Sequence, residues 1–178
     1  MLYIWLDESD KEGTYYSNFY GGILIKSVNV DKVLRMSQTK ISEVGLDNEE
    51  IKWQKVNKFT FEKYKILIDF IFDLLENDLA KIRIFFRNNQ FVPQGLTKEQ
   101  KRKEYPLLYY QFIKHGFGLQ YSNPNAEETN IKLLLDDMPL KGDEAKEFKR
   151  YLFGLNFDDS FKKAHLHIKM EDICEVDS

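Results

Sequence analysis

Leu2-Tyr3-Ile4-Trp5-Leu6 is apolar at every position and runs straight into Asp7-Glu8-Ser9. A strand with one wet face alternates apolar and polar residues, whereas a strand covered on both faces has no need to. The unbroken run therefore predicts a central strand of an α/β sheet. The switch to charge at Asp7 puts a carboxylate pair at its end, and in open α/β sheets the strand ends border the crevices where ligands bind. Asp7-Glu8 is the first candidate site.

Working outward, residues 7–13 read as a polar turn, and the aromatic-rich residues 15–25 as a second strand forming a hairpin with the first. Within it, Gly21-Gly22 marks a bulge or a close backbone approach. Residues 30–44 have helical spacing through Val33, Leu34 and Ile41, with Asn29 as cap and Gly45 just past the end. The clearest helix is 60–77, where Phe61, Tyr64, Leu67, Ile68, Ile71, Leu74 and Leu75 recur at three- and four-residue intervals and define an apolar face to pack on the sheet. In residues 81–87, Ile82, Ile84 and Phe86 alternate with Lys81, Arg83 and Arg87, the period of a strand with one wet face.

Thr97-Lys-Glu-Gln100 resembles a capping box, and Pro106 is expected to break the helix that follows, which ends at Gly116 and Gly118. Residues 131–135 form another wholly apolar strand ending in acid, at Asp136-Asp137. A helix over 142–152 stops at Gly154, and Leu166, Ile168 and Met170 alternate with His165, His167 and Lys169 in a late strand. Alternation of strands and helices without repeats or a linker predicts one α/β domain over residues 1–178, with helices packed on a mixed central sheet. Residues 93–104, carrying Lys98, Lys101, Arg102 and Lys103, are the expected mobile excursion.

Composition narrows the class. At 178 residues, 43% hydrophobic and 15% aromatic, the chain can bury a substantial core. Acids and bases nearly cancel to a net charge of -3, which argues against tight nonspecific nucleic-acid binding. It leaves a nuclease open, because active-site carboxylates add negative charge that bound metals neutralise. The lone Cys174 rules out an intramolecular disulfide and a cysteine-based zinc site, in keeping with a reducing compartment. The opening apolar run is too short for a signal peptide or a membrane span, so a soluble cytoplasmic protein is expected.

Asp7 and Asp136 each follow an all-apolar strand. Two such acids converging from separate strands suggest a site for Mg²⁺ or Mn²⁺, which favour oxygen ligands. The bland alternative is that Asp7-Glu8-Ser9-Asp10 and Asp136-Asp137 are turn-forming acids at strand exits. Pattern alone leaves both open.

Resemblance adds weight to the first. Tyr3-Ile-Trp-Leu-Asp-Glu-Ser9, with Phe19-Tyr-Gly-Gly-Ile-Leu-Ile25 after a turn, resembles the opening of the family catalogued as domain of unknown function 3800. Glu50-Ile-Lys-Trp53 resembles that family's short Lys-containing segment, residues 131–136 its middle acidic strand, and Val176-Asp-Ser178 its late Asp-Ser. The resemblance implies a ribonuclease H-like fold and metal-dependent nuclease activity, a phosphodiester hydrolysis on DNA or RNA, with association to mobile elements and phage defence. It implies Asp7 as the bridging ligand of Mg²⁺ or Mn²⁺, Asp136 as the second ligand and Asp177 as the third. Glu8 would be a ligand or a group supporting one, and Lys52 a contact to phosphate. The chain departs from the family where Asp10-Lys11 replaces a Gly-Asp turn, and where relatives continue past the Asp-Ser into a Gln-x-x-Asp helix. That departure reads as a C-terminally truncated enzyme or as a natural short form. The runner-up class is a catalytically inactive ribonuclease H-like module that dimerises or recruits a partner through its aromatic helical surface.

Other residues have plainer readings. His165-x-His167 puts two imidazoles on one strand face, but no third zinc ligand follows at a recognisable spacing. Tyr105, Tyr109, Tyr110, Phe112, Phe117 and Tyr121 could stack on bases, yet their helical spacing suits core or interface packing. The basic run 98–103 reads as solvated helix surface or as a steering patch for phosphate.

Overall fold

The computed structural model describes residues 1–9, 13–47, 49–91, 94–123, 127–136 and 140–176. Asp10, Pro93, Asp137 and Asp177, all of them in the expectations above, lie outside the described residues. The chain divides into two compact units, one of Met1–Leu24 with Ile82–Ser178 and the other of Ile25–Lys81.

The first unit carries an α/β sheet of five strands: β1 Leu2–Ser9, β2 Tyr16–Lys26, β3 Lys81–Asn88, β4 Thr129–Asp136 and β5 Leu166–Val176. Their order is β3-β2-β1-β4-β5, so β1 is central as its sequence requires. The sheet is mixed, with β1 and β4 parallel from Leu2 beside Ile131 to Leu6 beside Leu135, and β4 and β5 also parallel.

Side chains of β1 alternate between two environments. Leu2, Ile4 and Leu6 are buried in one core with Ile131, Leu133 and Leu135 of β4. Burying each such side chain contributes about 1.5–3 kcal/mol. Tyr3 and Trp5 occupy the opposite face and stack at 5.8 Å. The core is completed by helices α4 Glu104–Gln111, α5 Asp143–Phe153 and α6 Asp159–Lys163, which follow α1, α2 and α3 in chain order. Phe112 and Ile113, in the π-helical turn Phe112–Gly116, and Phe148, Leu152 and Phe161 fill it.

Helix α3, Lys98–Arg102, begins with the expected capping box: the Gln100 amide donates to Thr97 Oγ1 at 3.2 Å and the Thr97 amide to Gln100 Oε1 at 2.9 Å. The break before α4 falls at Lys103, and Pro106 sits inside the first turn of α4, where its missing N–H costs nothing. Of the two strand glycines, Gly22 is the close approach: a Cβ there would lie 2.8 Å from the Phe117 ring. Gly21 faces open space.

Three expectations are corrected. In β3 the face carrying Phe85 packs on the core, while Ile84 and Phe86 of the alternating apolar set are 68% and 47% exposed. In the late strand, Leu166 and Ile168 are buried as expected, but a register shift then passes the core-facing role to Ile173 and leaves Met170 exposed. His165 does not share a strand face with His167, because it precedes β5 with a φ of 52° in a turn.

The second unit holds α1, Ser27–Glu43, and α2, Phe61–Glu76. Helix α1 starts directly after β2 with no side-chain cap, so Asn29 lies inside it rather than capping it. Gly45, with a φ of +66°, follows its end as predicted. Tyr64 and Leu67 of α2 pack with Val44 and Leu46, whereas Phe61 and Ile68 from the expected apolar face are exposed. Among the described residues, no helix is long and apolar enough to cross a membrane.

Candidate metal site and the Glu8 clamp

Strand β1 extends through Ser9, so Asp7 and Glu8 sit on its last pleats rather than in the turn beyond. Successive residues of a strand face opposite ways, and the two acids therefore serve opposite faces of the sheet. Asp7 continues the row of Tyr3 and Trp5, and Glu8 the row of Leu2, Ile4 and Leu6.

The parallel register sets Leu6 beside Leu135, and its next step brings Asp7 beside Asp136 on one face. Burial raises the Asp7 carboxyl above the usual carboxylate range, the Glu8 N–H donating to its Oδ1 at 2.7 Å lowers it, and the neighbouring Asp136 carboxylate raises it again. Asp136 Oδ1 is buried without a hydrogen-bond partner among the described residues. A buried carboxylate oxygen with no donor beside a second carboxylate is costly in the absence of a positive charge. The pair therefore fits a hard cation: Mg²⁺ commonly takes one or two carboxylates and completes its octahedron with water and phosphate oxygens. Among the described residues, no group of three or more metal-ligating side chains gathers. The register pairs Asp136 with Val176, the residue before Asp177.

An open hollow of about 330 Å³ adjoins Asp7, lined also by Glu8, Ser9, Phe19, Gly21 and Ile84. Aromatic rings continue from it: Phe19 lies 5.5 Å from Phe86, and Tyr16 meets Phe86 edge-on at 5.1 Å. Sequence spacing did not single out this cluster, because it joins two strands that are not contiguous in the chain.

Glu8 is held on the other face. Tyr105 Oη donates to Glu8 Oε1 at 3.0 Å and lies 3.1 Å from Oε2, and the Tyr109 hydroxyl also donates to Oε2. Burial first, and then the nearby Glu8 carboxylate, pushes the Tyr105 and Tyr20 phenols well above their ordinary range. Burial, Tyr105 and Glu8 do the same to Tyr109. The phenols thus remain protonated donors at neutral pH. Their four-residue spacing in α4 was legible as one helix face, but nothing in the sequence marked Glu8 as what that face meets.

Lys52 belongs to the second unit, where its ammonium pairs with Glu50 at 2.7 Å. Of the other aromatics, Tyr109, Phe112 and Phe117 are core residues, while Tyr121 is 80% exposed. Compared with known proteins, the chain matches no family model and no curated sequence.

Proposed function

We propose that this chain is a metal-dependent nuclease of ribonuclease H-like fold, related to the domain of unknown function 3800 family, in which Asp7 and Asp136 hold Mg²⁺ or Mn²⁺. The observation that carries this reading is the side-by-side carboxylate pair with its buried, unpartnered Asp136 oxygen. The mixed sheet with β1 at its centre and the acid-ended parallel neighbour β4 supports the fold assignment. Asp177 is the third ligand on the family resemblance. Bound cations would supply charge neutralisation of a phosphodiester and polarisation of the attacking water. The chain's own residues orient that chemistry: the Glu8 N–H steers Asp7 Oδ1, and the hollow beside Asp7 admits the substrate backbone. The π-faces of Phe19, Phe86 and Tyr16 around it suit the bases of DNA or RNA.

The test is Mn²⁺-dependent cleavage of single- and double-stranded DNA and RNA by wild type and by Asp7→Ala. Cleavage by wild type that Asp7→Ala loses is the expected result; equal cleavage by both sinks the role of Asp7. A second reading, a non-catalytic module that assembles as a dimer, draws on a different observation from the aromatic helical surface first expected. Strand β3 is a sheet edge with Ile84 and Phe86 exposed, and an apolar edge invites pairing with a second copy. Light scattering of the purified chain showing a dimer that Ile84→Lys dissolves, together with no cleavage by wild type, would favour it.

A further inference from the structure

Glu8 stands beside the candidate metal ligand in sequence but serves the opposite face of the sheet. Both of its carboxylate oxygens already accept hydrogen bonds, from Tyr105 and Tyr109. A metal ligand needs a free lone pair directed at the ion, and the phenols compete for those of Glu8. Its backbone meanwhile does something specific: the Glu8 N–H donates to Asp7 Oδ1 at 2.7 Å. A continuous chain of contacts therefore runs from two phenol hydroxyls, through the Glu8 side chain and peptide, to the carboxylate that faces Asp136.

The phenols are themselves held rigidly. Phe148 of α5 packs 5.3 Å from the Tyr105 ring and 5.5 Å from the Tyr109 ring, and Tyr20 of β2 meets Tyr109 edge-on at 4.7 Å. Just before Tyr105, Glu104 is ion-paired to Arg87 of β3, and Arg87 Nη2 also donates to Ser17 Oγ of β2 at 3.2 Å. The start of α4 is thus tied to two strands at the point where it presents its hydroxyls to Glu8. A helix so anchored can fix a peptide plane more tightly than a free strand end could.

We infer that Tyr105 and Tyr109 are positioning residues that act through Glu8 to orient the Asp7 carboxylate for a divalent cation, and that Glu8 is the link in this clamp rather than a ligand. The inference rests on the metal reading of Asp7 and Asp136. Groups that orient ligands in this way change metal affinity by about 10–100-fold when removed, whereas loss of a ligand costs more.

The experiment titrates Mn²⁺ into the full chain by calorimetry and records electron paramagnetic resonance of the bound ion. It compares wild type with Asp7→Asn, Glu8→Gln, Tyr105→Phe, Tyr109→Phe and the double tyrosine variant. Thermal melting checks each fold, and Tyr105→Phe, at a half-buried position, carries the comparison if the double variant does not fold. The expected result is an unchanged number of bound ions, affinity about 10-fold weaker in Glu8→Gln and in the tyrosine variants, a broadened Mn²⁺ spectrum in each, and about 100-fold or greater loss in Asp7→Asn. Tyrosine variants that bind Mn²⁺ like wild type while Asp7→Asn does not would overturn the clamp and leave the metal site standing. Glu8→Gln binding as weakly as Asp7→Asn would make Glu8 a ligand and overturn it too. Asp7→Asn binding as tightly as wild type would remove the metal reading itself, and the clamp with it.

Discussion

Asp7→Asn should make the metal-free protein more stable at neutral pH and abolish its response to divalent cations. Asp7 titrates above 3.8, chiefly because of burial, with the Asp136 carboxylate adding to the rise and the Glu8 N–H opposing it. An acid with a raised folded pKa binds its proton more tightly folded than unfolded. The folded state therefore loses stability as pH climbs from the unfolded value through the folded one. At pH 7 the penalty is complete; near pH 3 both states are largely protonated and it all but vanishes.

Because Asp7 is solvent-exposed, screening limits the gain from removing its charge to about 0.5–1 kcal/mol. Asparagine keeps an oxygen to accept the Glu8 N–H, so that hydrogen bond is retained. At roughly 2–4 °C per kcal/mol for a chain of this size, the melting temperature should rise by about 1–4 °C at pH 7 and hardly at all near pH 3. Mn²⁺ at about a hundred times its Kd should add about 2.7 kcal/mol to the wild type, a rise of about 5–10 °C, and nothing to Asp7→Asn. Scanning calorimetry at the two pH values, with and without Mn²⁺, reads all four quantities. An Asp7→Asn protein that melts below wild type at pH 7, or that gains as much from Mn²⁺, would refute the reasoning.

Gly22→Ala should cost about 1–3 kcal/mol by overpacking. Its Cβ would meet Phe117 Cζ at 2.8 Å, Leu6 Cδ2 at 3.0 Å and the Trp5 carbonyl oxygen at 3.1 Å, whereas at Gly21 it would meet nothing within 4 Å. Urea unfolding should accordingly show a lower midpoint with an unchanged slope for Gly22→Ala and a near-neutral Gly21→Ala. The Lys114 ammonium, 2.5 Å from Asp158, together with the Ser160 hydroxyl, holds the Asp158 carboxyl down at about 2. A depressed pKa contributes stability above the unfolded value of 3.8 that is lost as pH falls through about 2, so Asp158→Asn should flatten the acid limb of melting temperature against pH between about 4 and 2.

Much of the fold was legible locally. An unbroken apolar run can only be a strand covered on both faces, which made β1 central; the Thr97 to Gln100 spacing forces a capping box; and Gly22 lacks a side chain where two layers touch. Tertiary packing decided the faces. Residues 82–86 carry apolar side chains on both faces of β3, and only the helices packed on Phe85 settle which face is inside. In β5 the core periodicity is interrupted by a register shift that is set by pairing with β4 and has no local signal.

The same division governs the site. The sequence alone determined that Asp7 and Asp136 each end an apolar strand, because the change from hydrocarbon to carboxylate is written in consecutive residues. Only the tertiary structure made β1 and β4 parallel neighbours, so that the two acids share a face, and turned Glu8 to the tyrosines of α4. The physical reason is that strand alternation fixes which residues oppose each other within one strand. Which strand lies alongside, and which helix covers it, depends on burial summed over the whole core.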